Sequence, residues 1–437
     1  MTTSRRGFLR LAGLGALAAG LPACSSVLPA PDTSASGFGS TATGLVRVWC
    51  RANTQEGLTA LVESFNASQD RLTVELTPIP DVQYVTKLAT AIRARDVPDL
   101  VDIDDINSLL FVYRDAFTDL TDLIAELDYA DRLSPGHLAL ATVEGRRYAV
   151  PYLADNSALF CNTRLFERAG LDVDEATTDL DSLLDAARRI TALGDDVRGW
   201  TFPGNATGAL GFVVQPHVWA ADTDLIHGEV GTQTGNVLGN EAVARMLEFY
   251  RALWVDGLVP PENFADDASR WGSDYQAGRI GMIPSNYSTV TSDADPELVA
   301  ATTVRLLPGP DGGRAFFDGG DNMCIPRGAA NASGAWEFVK FALDLPQQAA
   351  LPEGGYTPVR SDVATPEFAA RNPLVLPPLL NQHEGYAPQT LPYNQIYNQP
   401  DGPWLTMIRR AVFDGEIEAA MAEAQVGYDR ILRQAQA

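Results

Sequence analysis

The sequence predicts an α/β protein organised around parallel sheets covered by helices on both faces. Three observations carry this. Strand and helix patterns alternate along residues 45–104, the signature of βαβ units. The chain has 437 residues, 46% of them hydrophobic, enough for two or three domains' worth of core. Helical periods of buried type continue to the end of the chain, with no internal repeat.

In order, LVRVWC (45–50) is a β-branched strand ending in a polar turn. GLTALVESFNAS follows as a helix, because Leu58, Leu61, Val62 and Phe65 fall on one face. RLTVELTPIP alternates Leu72, Val74 and Leu76 as a strand; VTKLATAIRAR is helical and DLVDID is a strand. AVPYLADNSALFCN (149–162) reads as one long extended run. DLDSLLDAARRITAL and EAVARMLEFYRALWVDGLV are amphipathic helices; RIGMIP and DNMCIP are strands. SGAWEFVKFAL, PWLTMIRRAVFDG and EIEAAMAEAQVGYDRILRQ are the last helices. Residues 371–403, rich in Pro, Asn and Gln, read as an irregular segment wrapping the surface.

The chain opens MTTSRRGFLRLAGLGALAAGLPACSS. Its apolar run, Leu11–Leu21, is eleven residues long, too short for a bilayer span of about 20 residues and right for a signal peptide. Arg5 and Arg6 resemble a twin-arginine export signal, and Leu21-Pro22-Ala23-Cys24 resembles a lipobox, in which the cysteine receives lipid. A plain cleaved signal with a chance cysteine is the alternative. Residues 1–23 are therefore expected to be a signal peptide and 24–44 a flexible tether, rich in Ser, Thr, Ala, Gly and Pro. The expected location is the cell envelope, on the extracytoplasmic face of the membrane, held by the lipid on Cys24 alone.

Lys and Arg total 32 against 56 Asp and Glu, a formal charge of -24, which argues against nucleic acid or anionic membrane surfaces as partners. Cys50, Cys161 and Cys324 lie in or beside strand patterns and read as buried thiols. With no CxxC and four scattered histidines, no metal site is expected, and no cofactor. GxSxG, HExxH and P-loop motifs are absent, so no catalytic residues are assigned. A pair of carboxylates of glycosidase type stays open among so many acids.

Six stretches, in order, resemble the extracellular solute-binding proteins of ABC importers, in the branch of maltodextrin and sugar binders. They are AIRARDVPDLVDID, AFTDLTDLI, GRRYAVPYLADNSALFCNTRLFERAGL, YQAGRIGMIPSNY, GAWEFVKFAL (334–343) and GGYTPVRSD. The likeness spans roughly residues 45–437. It departs at Cys161, where the family usually has Tyr, and at Gly281, where it often has Ala. The resemblance implies a two-lobed periplasmic-binding-protein fold of type II, with the ligand in a cleft between lobes joined by three crossovers. One lobe would be residues 45–153 plus 319–357, the other 156–313 plus 361–437. It also implies a monomer that captures a small molecule, a mono- or oligosaccharide, and hands it to ABC permease subunits. A glycerophosphodiester or other polyol derivative, or a sensing role for a surface lipoprotein, is the alternative.

Sugar hydroxyls need carboxylates, amides and Arg, and ring faces stack on Trp or Tyr. The carboxylates Asp104 and Asp105 end a strand; helix capping is their bland reading. Asp155 and Asn156 fall in the first implied crossover, and Gly320, Asp321 and Asn322 follow the second. Tyr356 and Arg360 flank the third, with an ion pair to Asp362 as the alternative for Arg360. Tyr287 and Trp404 match positions of stacking aromatics; Trp49 and Asn53 follow the first strand. Trp254, Trp271 and Trp336 lie inside helix patterns and are expected to pack in cores.

The leader reading makes a direct prediction. Cys24→Ala should release the protein from the membrane fraction into the medium, read by fractionation and immunoblot. Retention of the variant in the membrane would show that Cys24 is not the anchor.

Overall fold

The computed structural model describes residues 28–34 and 37–436; Cys24 and the twin-arginine stretch lie outside them. Two sheets organise the chain. The first has the strand order Leu72–Ile79, Gly44–Arg51, Leu100–Asp104, Gly320–Cys324, Val150–Ala154. Its first three strands are parallel, and Gly320–Cys324 runs antiparallel to both of its neighbours. The second has the order Thr302–Arg305, Ala158–Asn162, Ile280–Ser285, Arg198–Trp200, with one parallel pair between Ile280–Ser285 and Arg198–Trp200. The sheets are mixed rather than wholly parallel, because strands return from the other lobe to complete each.

Local chemistry explains the elements. In Gly44–Arg51 the buried residues alternate as Val46, Val48 and Cys50, the period of a pleated strand. In the helix Gln55–Ser68 they are Leu58, Leu61, Val62 and Phe65, one helical stripe. Phe65 meets Phe338 and Phe341 of Ala332–Ala342 edge-on, at 5.3 and 5.2 Å. In the second lobe Trp200 packs edge-on against Phe249 at 5.4 Å. Trp336 is buried and Trp254 half-buried on their helices, whereas Trp271, expected in a helix, lies buried in the turn before the helix Ser273–Gln276. Cys50, Cys161 and Cys324 are buried free thiols, and burial pushes Cys50 and Cys161 up to about 12.

The run 149–162 is two strands, not one. Val150–Ala154 belongs to the first sheet and Ala158–Asn162 to the second. All ten strand residues are buried, so no change in hydrophobic pattern marks the passage between lobes. Three segments lie side by side at that passage. Asp155 N–H donates to Gly319 O at 2.6 Å, and Ser157 N–H to Phe317 O at 2.9 Å. Ala154 and Thr357 exchange two backbone bonds of 2.8 Å.

Other expectations need correction. Residues 28–44 are not a free tether throughout: Leu28 is buried against Ala91 and Val97, and its carbonyl accepts from Arg327 Nε at 2.7 Å. Residues 371–403 are not merely a surface wrap, because the helix Tyr393–Tyr397 buries Tyr393, Ile396 and Tyr397. Their spacing of three and four places them on one face, a signal masked by the surrounding Pro, Asn and Gln. PWLTMIRRAVFDG is α-helical over Pro403–Arg409, then widens to a π-turn over Arg410–Asp414 before Gly415 at φ 83°. No helix among the described residues is long and apolar enough to cross a membrane.

Gly320 allows the returning strand to enter. A Cβ there would lie 2.2 Å from Leu153 O and 2.6 Å from His137 Nε2. Gly320→Ala must therefore displace backbone or a buried ring, and should lower stability by about 1–3 kcal/mol, measured by urea unfolding. Unchanged stability would mean that the passage is looser than this packing.

Candidate functional site: the seam between the lobes

Two buried charge groups face the seam from the first lobe. In the first, Arg51 ends its strand and grips Asp321. Nε donates to one carboxylate oxygen at 2.9 Å and Nη2 to the other. Nη1 reaches Asp104 at 3.3 Å and Asp81 at 3.5 Å. Burial alone would lower the guanidinium's pKa, but Asp321 and Asp104 outweigh it and raise it. Asp102 lies behind, taking a 2.6 Å bond from Thr54; burial and then Asp321 push its carboxyl well up. Burial also lifts Asp104 to about 6, against the pull of Arg51.

The second group sits at the passage between lobes. His137 Nδ1 lies 3.2 Å from Asp318 and Nε2 lies 3.5 Å from Asp105. Ser134 Oγ donates to Asp318 at 2.5 Å and Asn156 donates to its other oxygen at 2.6 Å. Burial would lower the imidazole's pKa, yet Asp318 and then Asp105 hold it up at about 9. His137 is therefore a cation at neutral pH, and its two carboxylates come from a first-lobe helix start and from the second crossover.

The second lobe offers amides and aromatic edges. Asn286 donates to Asp155 at 3.2 Å, and burial lifts Asp155 to about 6, with Arg51 and Asn286 opposing. Asn394 donates to Asn107 of the first lobe at 2.8 Å and accepts from Asn398 at 2.6 Å. Tyr393, Tyr397 and Trp404 form a continuous aromatic row, with centroids 4.9 and 5.7 Å apart. Gln215 Nε2 and Trp404 Nε1 both lie close to Gly211. Tyr393 Oη, Trp404 Nε1 and both amide atoms of Gln215 are buried without a protein hydrogen-bond partner. So are Asp155 Oδ1, Asn322 Oδ1 and Asp102 Oδ1 on the first-lobe side. Buried polar groups are rarely left unpaired, so a run of them at one seam marks a place built to receive polar atoms.

Most of the sequence-predicted residues come to this seam or support it. Asp104, Asp155, Asp321, Asn322, Asp105 and Asn156 do so as described. Asn322 donates to Ser108 at 3.3 Å, which orients it. Tyr356 donates to Asn53 O at 3.0 Å, tying the third crossover to the turn after the first strand; Asn53 itself is exposed. Tyr287 opens the helix Tyr287–Thr291 next to Asn286 and packs half-buried against the Val363–Phe368 cluster. Trp404 is fully buried in the aromatic row. Two expectations are corrected. Arg360 is spent inside the first lobe: it is paired twice with Asp362 at 3.0 and 2.6 Å, bonded to Leu343 O, and laid over Tyr129 at 3.7 Å. Trp49 packs half-buried against the clusters that hold Tyr84, Leu88, Ala91 and Val97, with Lys87 5.0 Å over its ring. His137, Asp318, Gln215 and Tyr393 had no motif. For His137 the one available signal was a His two residues beyond Pro135 at a helix start, which is weak. A cavity of about 600 Å³ is lined by second-lobe residues within 220–245 and 310–313 and holds none of these groups.

The chain is built as two α/β lobes joined by crossovers, with polar groups of both meeting at one seam. A family model for bacterial extracellular solute-binding proteins matches residues 60–377, and the chain belongs to that family. The family binds solutes rather than catalysing reactions, and its working place is extracytoplasmic. A putative binding protein of Brucella abortus (strain 2308) is 23% identical over 315 residues, 71% of this chain and 74% of that protein. The diacetylchitobiose binding protein DasA of Streptomyces coelicolor is 24% identical over 271 residues, 59% of each chain. Among solved structures, the sugar-binding protein MalE of Xanthomonas citri superposes with a TM-score of 0.78 at 21% identity, over 89% of this chain and 98% of that one. A solute-binding protein of Thermotoga lettingae bound to α-D-tagatose gives 0.71 at 21% identity, covering 89% and 100%. These superpositions establish the fold.

The His137 group makes stability depend on pH. A folded pKa of about 9 stands above the ordinary value of about 6.5. The stabilisation is complete below about pH 6.5 and is lost as pH rises through about 9, on the order of 3 kcal/mol in all. The melting temperature should fall across that window. His137→Asn should melt lower at pH 6.5 and show a much shallower slope up to pH 9. An unchanged slope in the variant would place the titration elsewhere.

Proposed function

We propose that the protein captures a mono- or oligosaccharide outside the cytoplasmic membrane and delivers it to the transmembrane subunits of an ABC permease. It works as a monomer tethered by lipid on Cys24, exported through the twin-arginine signal. The observation that carries the reading is the seam itself: buried, unpartnered donors and acceptors from both lobes, beside an aromatic row. Polyhydroxy ligands need many paired hydrogen bonds plus apolar faces for ring C–H groups. The relatives support it, since they include binders named for diacetylchitobiose, α-D-tagatose and, from Agrobacterium radiobacter, ribitol. A glycerophosphodiester fits poorly. Its phosphate would face Asp104, Asp155 and Asp321, and the one guanidinium present, Arg51, is already gripped by carboxylates.

Tyr393→Phe separates a binding role from a structural one. Its hydroxyl is buried without a protein partner, so removing it should leave the free protein's melting temperature unchanged or raise it. It should weaken the sugar that stabilises the wild type most in a thermal-shift panel by about 1–3 kcal/mol, roughly 5- to 150-fold in Kd. Calorimetry on both proteins reads the difference. If no sugar raises the wild-type melting temperature, or if the variant binds the best one unchanged, the reading is wrong.

A further inference from the structure

The seam holds more carboxyl groups than cations, even though burial pushes Asp102 and Asp105 well up and so favours their neutral forms. Seven carboxylates meet there: Asp81, Asp102, Asp104, Asp105, Asp155, Asp318 and Asp321. Two cations answer them. Arg51 is taken by Asp321, Asp104 and Asp81, and His137 by Asp318 and Asp105. Among the described residues, no Arg, Lys or His nitrogen comes within 4 Å of Asp155 or Asp102. Asp155 has only the Asn286 amide, and its Oδ1 is buried without a partner. Asp104 shares a guanidinium nitrogen at 3.3 Å and keeps about a quarter of its side chain exposed.

A crowd of acids alone does not make a site. The facing wall supplies a second, independent observation. Tyr393 is 1% exposed and its hydroxyl has no protein partner, and its neighbour Asn394 donates at 2.8 Å to Asn107, two residues beyond Asp105. Behind it Trp404 and Gln215 are fully buried with unpartnered N–H groups. One wall thus offers uncompensated carboxylates and the other offers hydrogen-bond donors and aromatic faces. A neutral sugar can donate hydroxyls to the carboxylates of the first wall, but it leaves their charge unneutralised away from water, which is costly.

We propose that the solute is a sugar or polyol bearing a basic nitrogen, whose ammonium docks on Asp155 and Asp104 while its hydroxyl or ether oxygens accept from Tyr393, Trp404 and Gln215. This inference rests on the carbohydrate reading and narrows it. The ammonium's three donors suit two carboxylates supplied by different segments, the strand end at Asp104 and the first crossover at Asp155. Binding would then neutralise a charge at the passage between the lobes, where closure otherwise buries it.

The test uses the purified full-length chain at pH 7 and matched probes: glucosamine with glucose, galactosamine with galactose, and the free-amine chitosan disaccharide with diacetylchitobiose. Thermal shift ranks them and calorimetry gives Kd. At least one amine should bind about tenfold or more tighter than its neutral counterpart. Its affinity should fall as NaCl rises from about 20 to about 500 mM, because screening weakens an ionic contact. Asp155→Asn should erase most of the amine's advantage. The salt series on wild type decides the matter even if that variant misfolds. If in every pair that binds the neutral probe binds as well as or better than its amine, this inference is overturned and the carbohydrate reading stands. No stabilisation by any member of either class overturns both.

Discussion

The seam depends on one buried ion pair, Arg51 with Asp321. The strand Gly320–Cys324 returns from the second lobe into the middle of the first sheet, between Leu100–Asp104 and Val150–Ala154. Its second residue is a fully buried aspartate, 0% exposed. A buried carboxylate without a partner costs several kcal/mol. Arg51 removes that cost because the first strand ends where Asp321 begins its pairing with Asp104. The register of the sheet and the ion pair thus require each other. The pair also sets the electrostatics around it: it fixes the one guanidinium of the seam and leaves Asp155 with an amide alone.

The passage between the lobes is built from equally constrained parts. Asp318 belongs to the second crossover and receives Asn156 from the first, Ser134 from the start of a first-lobe helix, and His137 one turn further on. Gly320 leaves room for the His137 ring, and Gly136 leaves room for the Asp318 carboxylate, 2.5 Å from where its Cβ would be. Any rotation of one lobe against the other has to turn about backbone segments already bonded to one another at Ala154–Thr357, Asp155–Gly319 and Ser157–Phe317. A hinge of that kind permits a small set of arrangements rather than free tumbling. This gives the seam groups a repeatable geometry from which to recognise a solute.

How much of this was legible depended on the range of each interaction. Elements governed by local period were plain: the stripe Leu58, Leu61, Val62, Phe65 and the alternation Val46, Val48, Cys50 stand in the structure as they stand in the sequence. The acids next to element ends, Asp104, Asp155 and Asp321, lie around Arg51 in the structure. What failed was choosing among polar residues whose role depends on distant partners. Arg360 is consumed by Asp362, two residues away, and by Leu343 and Tyr129, whose placement no local pattern reveals. Tyr393, by contrast, sits in a stretch whose prolines and amides disguise a short buried helix. His137 becomes a cation only because Asp318, 181 positions later, is folded against it. The split of residues 149–162 between two sheets was equally silent, because both halves are buried on both faces.

Under the proposed function, the unpartnered groups would couple solute binding to lobe contact. Tyr393, Trp404, Gln215, Asp155 and Asn322 all carry buried polar atoms without a protein partner while the lobes touch through Asn107 and Asn394. Each such group costs about 1–3 kcal/mol when nothing pairs with it. Those atoms that separation of the lobes would return to water would oppose the contact in the free protein. A solute that pairs with several of them at once removes the penalty only in the closed arrangement. A ligand shifts such an equilibrium by its differential affinity for the two states, and here the differential is supplied by atoms of both lobes. The same polar groups that would select the solute also make closure conditional on it.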